Sequence, residues 1–131
     1  MMLNGGCLCG ATRYAAKAAP FNATICHCRS CRLAAGAASV AWFSVPAAAF
    51  RWTAAAPTLH RSSPPVERSF CATCGTALTY RRDDLTEIDI ATATLDDPEA
   101  APPRDHTQAA ERLAWDVPGD GLPVYEGVRE A

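Results

Sequence analysis

Seven cysteines in three short clusters restrict what this 131-residue chain can fold into more than any other feature. The clusters are Cys7-Leu8-Cys9-Gly10, Cys26-His27-Cys28-Arg29-Ser30-Cys31 and Cys71-Ala72-Thr73-Cys74-Gly75. Spacings of one or two residues let backbone turns direct several thiolates at one ion, and two such pairs on one Zn²⁺ give a tetrahedral four-cysteine site. The glycines after Cys9 and Cys74 fit turns that need positive φ and amides directed at sulfur. The pattern therefore predicts zinc binding.

The odd number of cysteines predicts two unequal zinc sites. Seven ligands can fill one closed four-cysteine site and leave a three-cysteine site with an open fourth position. Closed zinc sites are structural, whereas open ones are catalytic or prone to exchange. Two isolated pairs lie at opposite ends of the strand-rich region, so one shared ion would fasten that region together: Cys7/Cys9 and Cys71/Cys74. The better candidates for the open site form the local triplet Cys26, Cys28 and Cys31.

The amino-acid composition is a further reason to expect a bound metal ion. Hydrophobic residues make up 49% of the chain and charged residues 20%, which is ordinary for one globular domain. Much of the hydrophobic share is alanine and aromatic residues are only 8%, so the core is expected to be modest. Small cores commonly depend on disulfides or metal. We expect a single domain over residues 1–131, with a β region over about 4–96 and a C-terminal arm over about 97–131 that packs on it.

Charge and hydropathy indicate which partners to expect. Lys and Arg number 12 against 14 Asp and Glu, and the formal net charge of −2 argues against a nucleic-acid partner held by a basic face. No apolar run approaches the roughly 20 residues of a membrane helix, and the N-terminal residues lack a signal-peptide pattern. We therefore expect a cytoplasmic protein with no membrane partner. Disulfides are unfavourable in that reducing compartment, and seven cysteines would leave one unpaired.

Local patterns predict a mainly β fold. Segments with strand character are residues 11–15, 21–26, 39–45, 76–80 and 86–92. The last of these alternates acidic with apolar residues, which is typical of a half-buried strand. Helix signals are weak and limited to one or two turns at 30–35, stopped by Gly36, and at 107–113. Ten prolines and eight glycines keep the elements short.

Three alternatives compete with an open, catalytic zinc site. Both clusters could be purely structural, with His27, another side chain or water as the fourth ligand of the triplet. The cysteines could form disulfides in a secreted protein. Cys71 and Cys74 could form a redox pair, although the residues after them are strand-like rather than helical. His27 lies between two candidate ligands, so it is a candidate proton shuttle or fourth ligand, or a residue that fixes the loop.

The cysteine clusters resemble a known family. The segments 5–14 (GGCLCGATRY), 26–32 (CHCRSCR) and 70–78 (FCATCGTAL) look like the signature blocks of the glutathione-dependent formaldehyde-activating enzyme and centromere protein V family. Weaker similarities continue through 50–52, 68–70, 93–98, His106, Trp115 and 122–123. The resemblance implies a mainly β, Mss4-like fold, built from several small coiled antiparallel sheets that zinc knuckles hold, with few short helical turns.

The resemblance also implies a division of the ligands and an activity. A structural zinc would be held by Cys7, Cys9, Cys71 and Cys74, and a catalytic zinc by Cys26, Cys28 and Cys31. The activity named for the family is the addition of glutathione to formaldehyde, which forms S-hydroxymethylglutathione and is formally a carbon–sulfur lyase reaction. We therefore expect a small thiol or aldehyde substrate, with the thiol bound at the open zinc of the triplet. The centromere protein V side of the family implies the alternative, a non-catalytic zinc-stabilised binding or scaffold module.

Other residues near the clusters are candidates for substrate contact. Arg13, Arg29 and Arg32 flank the cysteines and could neutralise the thiolates or receive a substrate carboxylate. His106 and Trp115 are expected to fold back over the open site. Three further aromatic residues are expected in the core: Trp42, Trp52 and Phe70.

Overall fold

The computed structural model describes residues 1–129 and is mainly β, as the sequence predicts. A single α-helix, α1 (Arg29–Ala35), is found in this part of the chain, together with several one-turn 3-10 helices. The strands are β1 (Met2–Gly6), β2 (Arg13–Lys17), β3 (Phe21–Cys26), β4 (Val40–Pro46), β5 (Phe50–Trp52), β6 (Thr58–Ser63), β7 (Val66–Phe70), β8 (Ala77–Arg82), β9 (Glu87–Ala91) and β10 (His106–Thr107).

The strands form two sheets rather than several small ones. The smaller sheet has the antiparallel order β1-β2-β5, and the larger has the order β10-β3-β4-β9-β8-β7-β6. The larger sheet reaches seven strands because β6, β7, β8 and β9 pair one after another in chain order. Its pairs are antiparallel except for β10, which runs parallel to β3. The sheets are therefore antiparallel, as expected, except at this edge, where the chain returns from residue 105 alongside β3.

The two faces of the seven-stranded sheet have different roles. One face packs against the three-stranded sheet and forms the main core, with Phe43, Leu78 and Ile90 fully buried there beside Tyr14. The alternation in β9 follows from this, because Ile88 and Ile90 enter the core while the residues between them point to the other face. The second face carries a smaller hydrophobic cluster and a cavity.

Of the three aromatic residues expected in the core, Trp42, Trp52 and Phe70, only Trp42 is buried. Phe43 occupies the main core, whereas Trp42 on the opposite face is buried in a smaller cluster with Cys31 and Ala91. Trp52 is only half-buried and packs edge-on against Phe50 with ring centroids 4.8 Å apart. Phe70 is also half-buried.

The chain after residue 104 lies along β3. The Ile25 amide donates to the Asp105 carbonyl at 3.0 Å, and the His27 amide donates to the Thr107 carbonyl at 3.1 Å. Arg129 forms an ion pair with Asp105, whose side chain is nearly buried. The predicted helical segment at 107–113 contains only one 3-10 turn, because its first residue extends the sheet as part of β10. None of the helices in residues 1–129 has the length and apolar character to cross a membrane.

Candidate metal centres and the adjoining cavity

Four cysteines from two distant turns meet at one point. Cys7 and Cys9 follow β1, and Cys71 and Cys74 follow β7. The Sγ atoms of Cys7 and Cys9 are 3.6 Å apart, and those of Cys9 and Cys71 are 3.8 Å apart. All four sulfur atoms lie within 4.8 Å of one another. This four-cysteine cluster could hold a metal ion.

The two turns have the same construction, and each ends in a left-handed glycine. Gly10 has φ of 82° and Gly75 has φ of 79°, which confirms the positive φ predicted for both. Each glycine amide donates to the carbonyl of the first cysteine of its turn, at 3.2 Å to Cys7 and 2.9 Å to Cys71. Other amides are directed at sulfur, since Thr12 N lies 3.3 Å from Cys7 Sγ. The geometry is that of a knuckle turn around an anionic sulfur.

The donors of the four-cysteine cluster fit zinc. Tetrahedral Zn–S bonds of about 2.3 Å place neighbouring sulfurs about 3.8 Å apart, close to the separations found. The amide of Cys74 donates to Cys71 Sγ, and this bond is the main reason that the pKa of Cys71 falls to about 5. The Thr76 hydroxyl lowers the pKa of Cys74 to about 7. The chain therefore favours thiolates at Cys71 and Cys74, whereas the pKa of Cys9 rises to about 11 because the Ala11 amide, which lowers it, is outweighed by hydrogen bonds with neighbouring thiols, chiefly Cys7, and by desolvation.

The three-cysteine cluster is local, as its spacing predicts. Cys26 ends β3, Cys28 caps the N-terminus of α1, and Cys31 lies in the first turn of that helix. Their sulfur atoms lie within 4.8 Å of one another, so they could hold a second metal ion. The amide of Cys31 donates to Cys28 Sγ at 3.3 Å. Hydrogen bonds from the Cys26 and Cys31 thiols lower the pKa of Cys28 to about 2, with a smaller contribution from the charge of Arg68.

The three-cysteine cluster lines a large cavity, and the four-cysteine cluster does not. This cavity has a volume of about 1000 Å³, and Cys26, Cys28 and Cys31 form part of its wall. Its floor is the second face of the seven-stranded sheet. Directly opposed residues on neighbouring strands form a row across that floor, in the order His60, Arg68, Tyr80, Asp89 and Ser44.

The cavity floor holds a carboxyl group with one protein partner. The hydroxyl of Ser44 donates to Asp89 Oδ1 at 2.6 Å. Burial raises the pKa of Asp89 to about 6, and the charge of Glu87 on the same strand adds to the rise. Glu87 also lines the cavity. This end of the floor is therefore acidic.

The floor also holds a guanidinium that has no ion partner among residues 1–129. Arg68 Cζ lies 4.9 Å from the centre of the Tyr80 ring, and Tyr80 is in turn 6.2 Å from the Trp42 ring. Within residues 1–129, no carboxylate oxygen lies within 4.0 Å of Arg68. Trp42 is 8% exposed, and its Nε1–H has no acceptor in the same part of the chain. Both side chains line the cavity.

His27 faces away from the three thiols. Its ring is buried, and neither ring nitrogen joins the three sulfur atoms as a further candidate metal ligand. Instead, His27 Nε2 lies 2.9 Å from His106 Nδ1, and His106 Nε2 lies 2.9 Å from Asp120 Oδ2. The structure therefore brings His27 and His106 together, on the opposite side of the loop from the cavity.

The remaining predicted substrate residues also lie outside the cavity wall. Arg13 forms an ion pair with Asp96, with one nitrogen–oxygen distance of 2.8 Å. Arg32 on α1 has a buried Nε without a partner among the described residues, and Trp115 is 76% exposed. None of Arg13, Arg32, His106 and Trp115 lines the cavity of the triplet.

Sequence reasoning missed the charged residues that do line it. Arg68 was not recognised as a candidate because its strand was not predicted. Asp89 was not recognised because the strand that carries it was interpreted only as half-buried. The alternation of acidic and apolar residues at 86–92 was the available signal, since it places Glu87 and Asp89 on one face.

Comparison with known proteins agrees with the cysteine pattern and the fold. The sequence profile of the family described as glutathione-dependent formaldehyde-activating enzyme matches residues 2–110. A crystal structure of a Rhodobacter sphaeroides protein has the same fold, with a TM-score of 0.60 and 21% sequence identity over 93% of this chain and 98% of that chain. No curated protein matches the sequence. Because the profile covers most of its length, the chain belongs to the glutathione-dependent formaldehyde-activating enzyme family.

Proposed function

We propose that this protein is a zinc-dependent enzyme of the carbon–sulfur lyase type that acts on a small thiol–aldehyde adduct such as S-hydroxymethylglutathione. The family match over residues 2–110 supports the class of reaction. The observation that carries the proposal is the placement of three thiols, and not the other four, in the wall of a cavity of about 1000 Å³. A substrate thiol of small-molecule size can reach Cys26, Cys28 and Cys31 from that cavity.

The reaction makes or breaks one carbon–sulfur bond. In the direction of addition, the thiol sulfur bonds to the aldehyde carbon, the π electron pair moves to the aldehyde oxygen, and the proton lost by the thiol ends on that oxygen. Cleavage of the adduct reverses each change. A zinc ion bound by three thiolates would supply an open position for a soft thiol and lower the pKa of that thiol.

The chain's own residues prepare the site for this chemistry. α1 fixes the spacing of Cys28 and Cys31, and the Cys31 amide stabilises negative charge on Cys28 Sγ. The rings of Trp42 and Tyr80, with centroids 6.2 Å apart, form an apolar wall that limits water near the thiols. The four-cysteine cluster would act as the structural site that joins the turn after β1 to the turn after β7.

Metal content is the first test of this division. We expect two zinc ions per chain in the purified protein, one of them perturbed or released by excess glutathione. Cys28→Ser should lose that ion and remain folded by circular dichroism, whereas Cys74→Ser, the matched variant of the other cluster, should lose the fold. A single tightly held ion that thiols leave unchanged would overturn the proposal and favour a non-catalytic binding module.

The second test measures the reaction itself. Carbon-13 formaldehyde and glutathione equilibrate without an enzyme, so the exchange rate between them and S-hydroxymethylglutathione should be measured by magnetisation-transfer NMR. We expect the zinc-loaded protein to raise that rate and Cys28→Ser to abolish the increase. Equal rates with the wild-type protein and with Cys28→Ser would contradict a catalytic role for the triplet.

A further inference from the structure

Two opposite charges lie on the same cavity floor without neutralising each other. Arg68 and Asp89 are both aligned with Tyr80, on the strands to either side of it, so one ring separates them. Strands are spaced about 4.8 Å apart, which puts the backbones of these two residues about 10 Å from each other. No ion pair joins them in the described part of the chain. Each charge is thus available to a molecule in the cavity.

The Arg68 guanidinium is held in place by packing rather than by a counter-charge. It lies over the Tyr80 ring at 4.9 Å, a cation–π contact that restrains the side chain and leaves its N–H donors free. Its charge faces the same cavity as the triplet, because Arg68 and the three cysteines all line its wall. A substrate carboxylate that lies on the cavity floor would find its counter-charge here.

Asp89 is the corresponding group at the other end of the row. Ser44 satisfies one of its oxygens, and Glu87 on the same strand adds negative charge to the same face. A desolvated carboxylate is normally paired with a cation in a folded protein, and none is present among residues 1–129. An ammonium group would supply that cation.

The indole of Trp42 forms another part of the cavity wall. It is nine-tenths buried and lines the cavity, yet its Nε1–H has no acceptor within the described residues. Buried donors of this kind are nearly always satisfied in folded proteins. The Nε1 atom itself is shielded from solvent, so a ligand in the cavity meets the ring of Trp42 rather than this donor.

From the placement of these two charges we infer that Arg68 and Asp89 determine which thiols the cavity accepts, Arg68 by binding a carboxylate of the substrate and Asp89 by binding an ammonium group. This inference rests on the proposed function, since it assumes that the substrate sulfur binds at Cys26, Cys28 and Cys31. It makes Arg68 and Asp89 specificity-determining residues for a region of the substrate remote from the reacting atoms.

Binding of four probe thiols to the zinc-loaded protein tests this inference by calorimetry. The probes are glutathione, N-acetylglutathione without the ammonium group, glutathione monoethyl ester without one carboxylate, and 2-mercaptoethanol with neither group. For the wild-type protein we expect glutathione to bind about tenfold more tightly than either singly blocked form. Asp89→Asn, which keeps an acceptor for Ser44, should bind glutathione and N-acetylglutathione equally but still discriminate against the ester. Arg68→Gln should bind glutathione and the monoethyl ester equally but still discriminate against N-acetylglutathione.

Matched controls and contrary results are available in the same experiment. Arg61→Gln and Asp84→Asn alter exposed ion pairs outside the cavity and should leave all four affinities unchanged. If Arg68→Gln weakens every thiol equally and lowers the zinc content, Arg68 only balances the thiolate charge and the inference is wrong. If thiols bind but their affinities depend on neither charge, the inference is wrong and the proposed function is unaffected. If not even 2-mercaptoethanol perturbs the three-cysteine site, the proposed function itself fails.

Discussion

His27 Nε2 lies 2.9 Å from His106 Nδ1, and this contact fixes how protons are distributed in both buried rings. The Leu122 amide and His106 hold the pKa of Asp120 below its usual range, so Asp120 is an ionised acceptor. With both rings neutral, His106 donates from Nε2 to Asp120 and accepts at Nδ1 from His27 Nε2–H. The loop that carries Cys26 and Cys28 is thus tied to a segment of chain 79 residues away.

Loss of the His106 ring should destabilise the protein without touching either cysteine cluster. In His106→Ala, the buried Nε2–H of His27 loses its acceptor, and we expect a loss of about 1 to 3 kcal/mol in the free energy of unfolding. Urea denaturation of the zinc-loaded protein measures it. His60→Ala is the matched control, since His60 lies on an exposed edge strand and should cost much less. Equal stabilities of the two variants would show that the histidine contact contributes nothing.

The cysteine clusters were predictable because their information is local. Spacings of one or two residues determine the turns, and counting seven thiolates was enough to divide them into four and three. The strand at 86–92 was likewise visible in its alternation. Fold class and candidate metal ligands follow from such short-range patterns.

The cavity was not predictable because it depends on long-range register. Arg68, Tyr80 and Asp89 form one row only after β7, β8 and β9 have paired, and β7 carries no alternation of its own that would mark it as a strand. The direction of His27 depends in the same way on His106, which is 79 residues away. Spacing alone cannot tell which side of a loop a side chain faces.

A methyl group at Gly5 should be poorly tolerated. An added Cβ would lie 2.3 Å from the Tyr14 hydroxyl and 2.5 Å from the Thr94 carbonyl oxygen, and the side chains of these two residues are hydrogen-bonded to each other beneath β1. We expect Gly5→Ala to lower the free energy of unfolding by about 1 to 3 kcal/mol. Gly119→Ala is the control, since its added Cβ would meet open space. Thermal unfolding of both variants decides the matter, and equal melting temperatures would contradict the packing described here.

Asp89 should make the free energy of unfolding decrease as the pH rises. Its folded pKa of about 6 exceeds the ordinary value of 3.8, so between these values the folded state binds more protons than the unfolded state. Stability is therefore lost as pH rises through this window, by up to about 3 kcal/mol. Asp89→Asn does not titrate, so its stability relative to the wild-type protein should increase from about pH 4 to about pH 7.

Urea denaturation at several pH values measures this difference, and a second aspartate provides the control. Arg82 lowers the pKa of Asp84, so the contribution of that carboxylate is already complete above its unfolded value. The stability difference between Asp84→Asn and the wild-type protein should stay constant from about pH 5 to about pH 8. If the stability difference between Asp89→Asn and the wild-type protein is equally independent of pH, Asp89 is not desolvated in solution.

Removal of metal should proceed in two stages with different consequences. The three-cysteine cluster opens to the cavity and is formed by one short segment, so a chelator should take its ion first, with little change in the fold. The four-cysteine cluster joins turns whose Cys9 and Cys71 are 62 residues apart, and loss of its ion should coincide with unfolding, because metal binding and folding are coupled there. Zinc release followed by a colorimetric indicator, with circular dichroism recorded in parallel, separates the stages. Release of both ions in a single step with loss of structure would show that the triplet is as structural as the four-cysteine cluster.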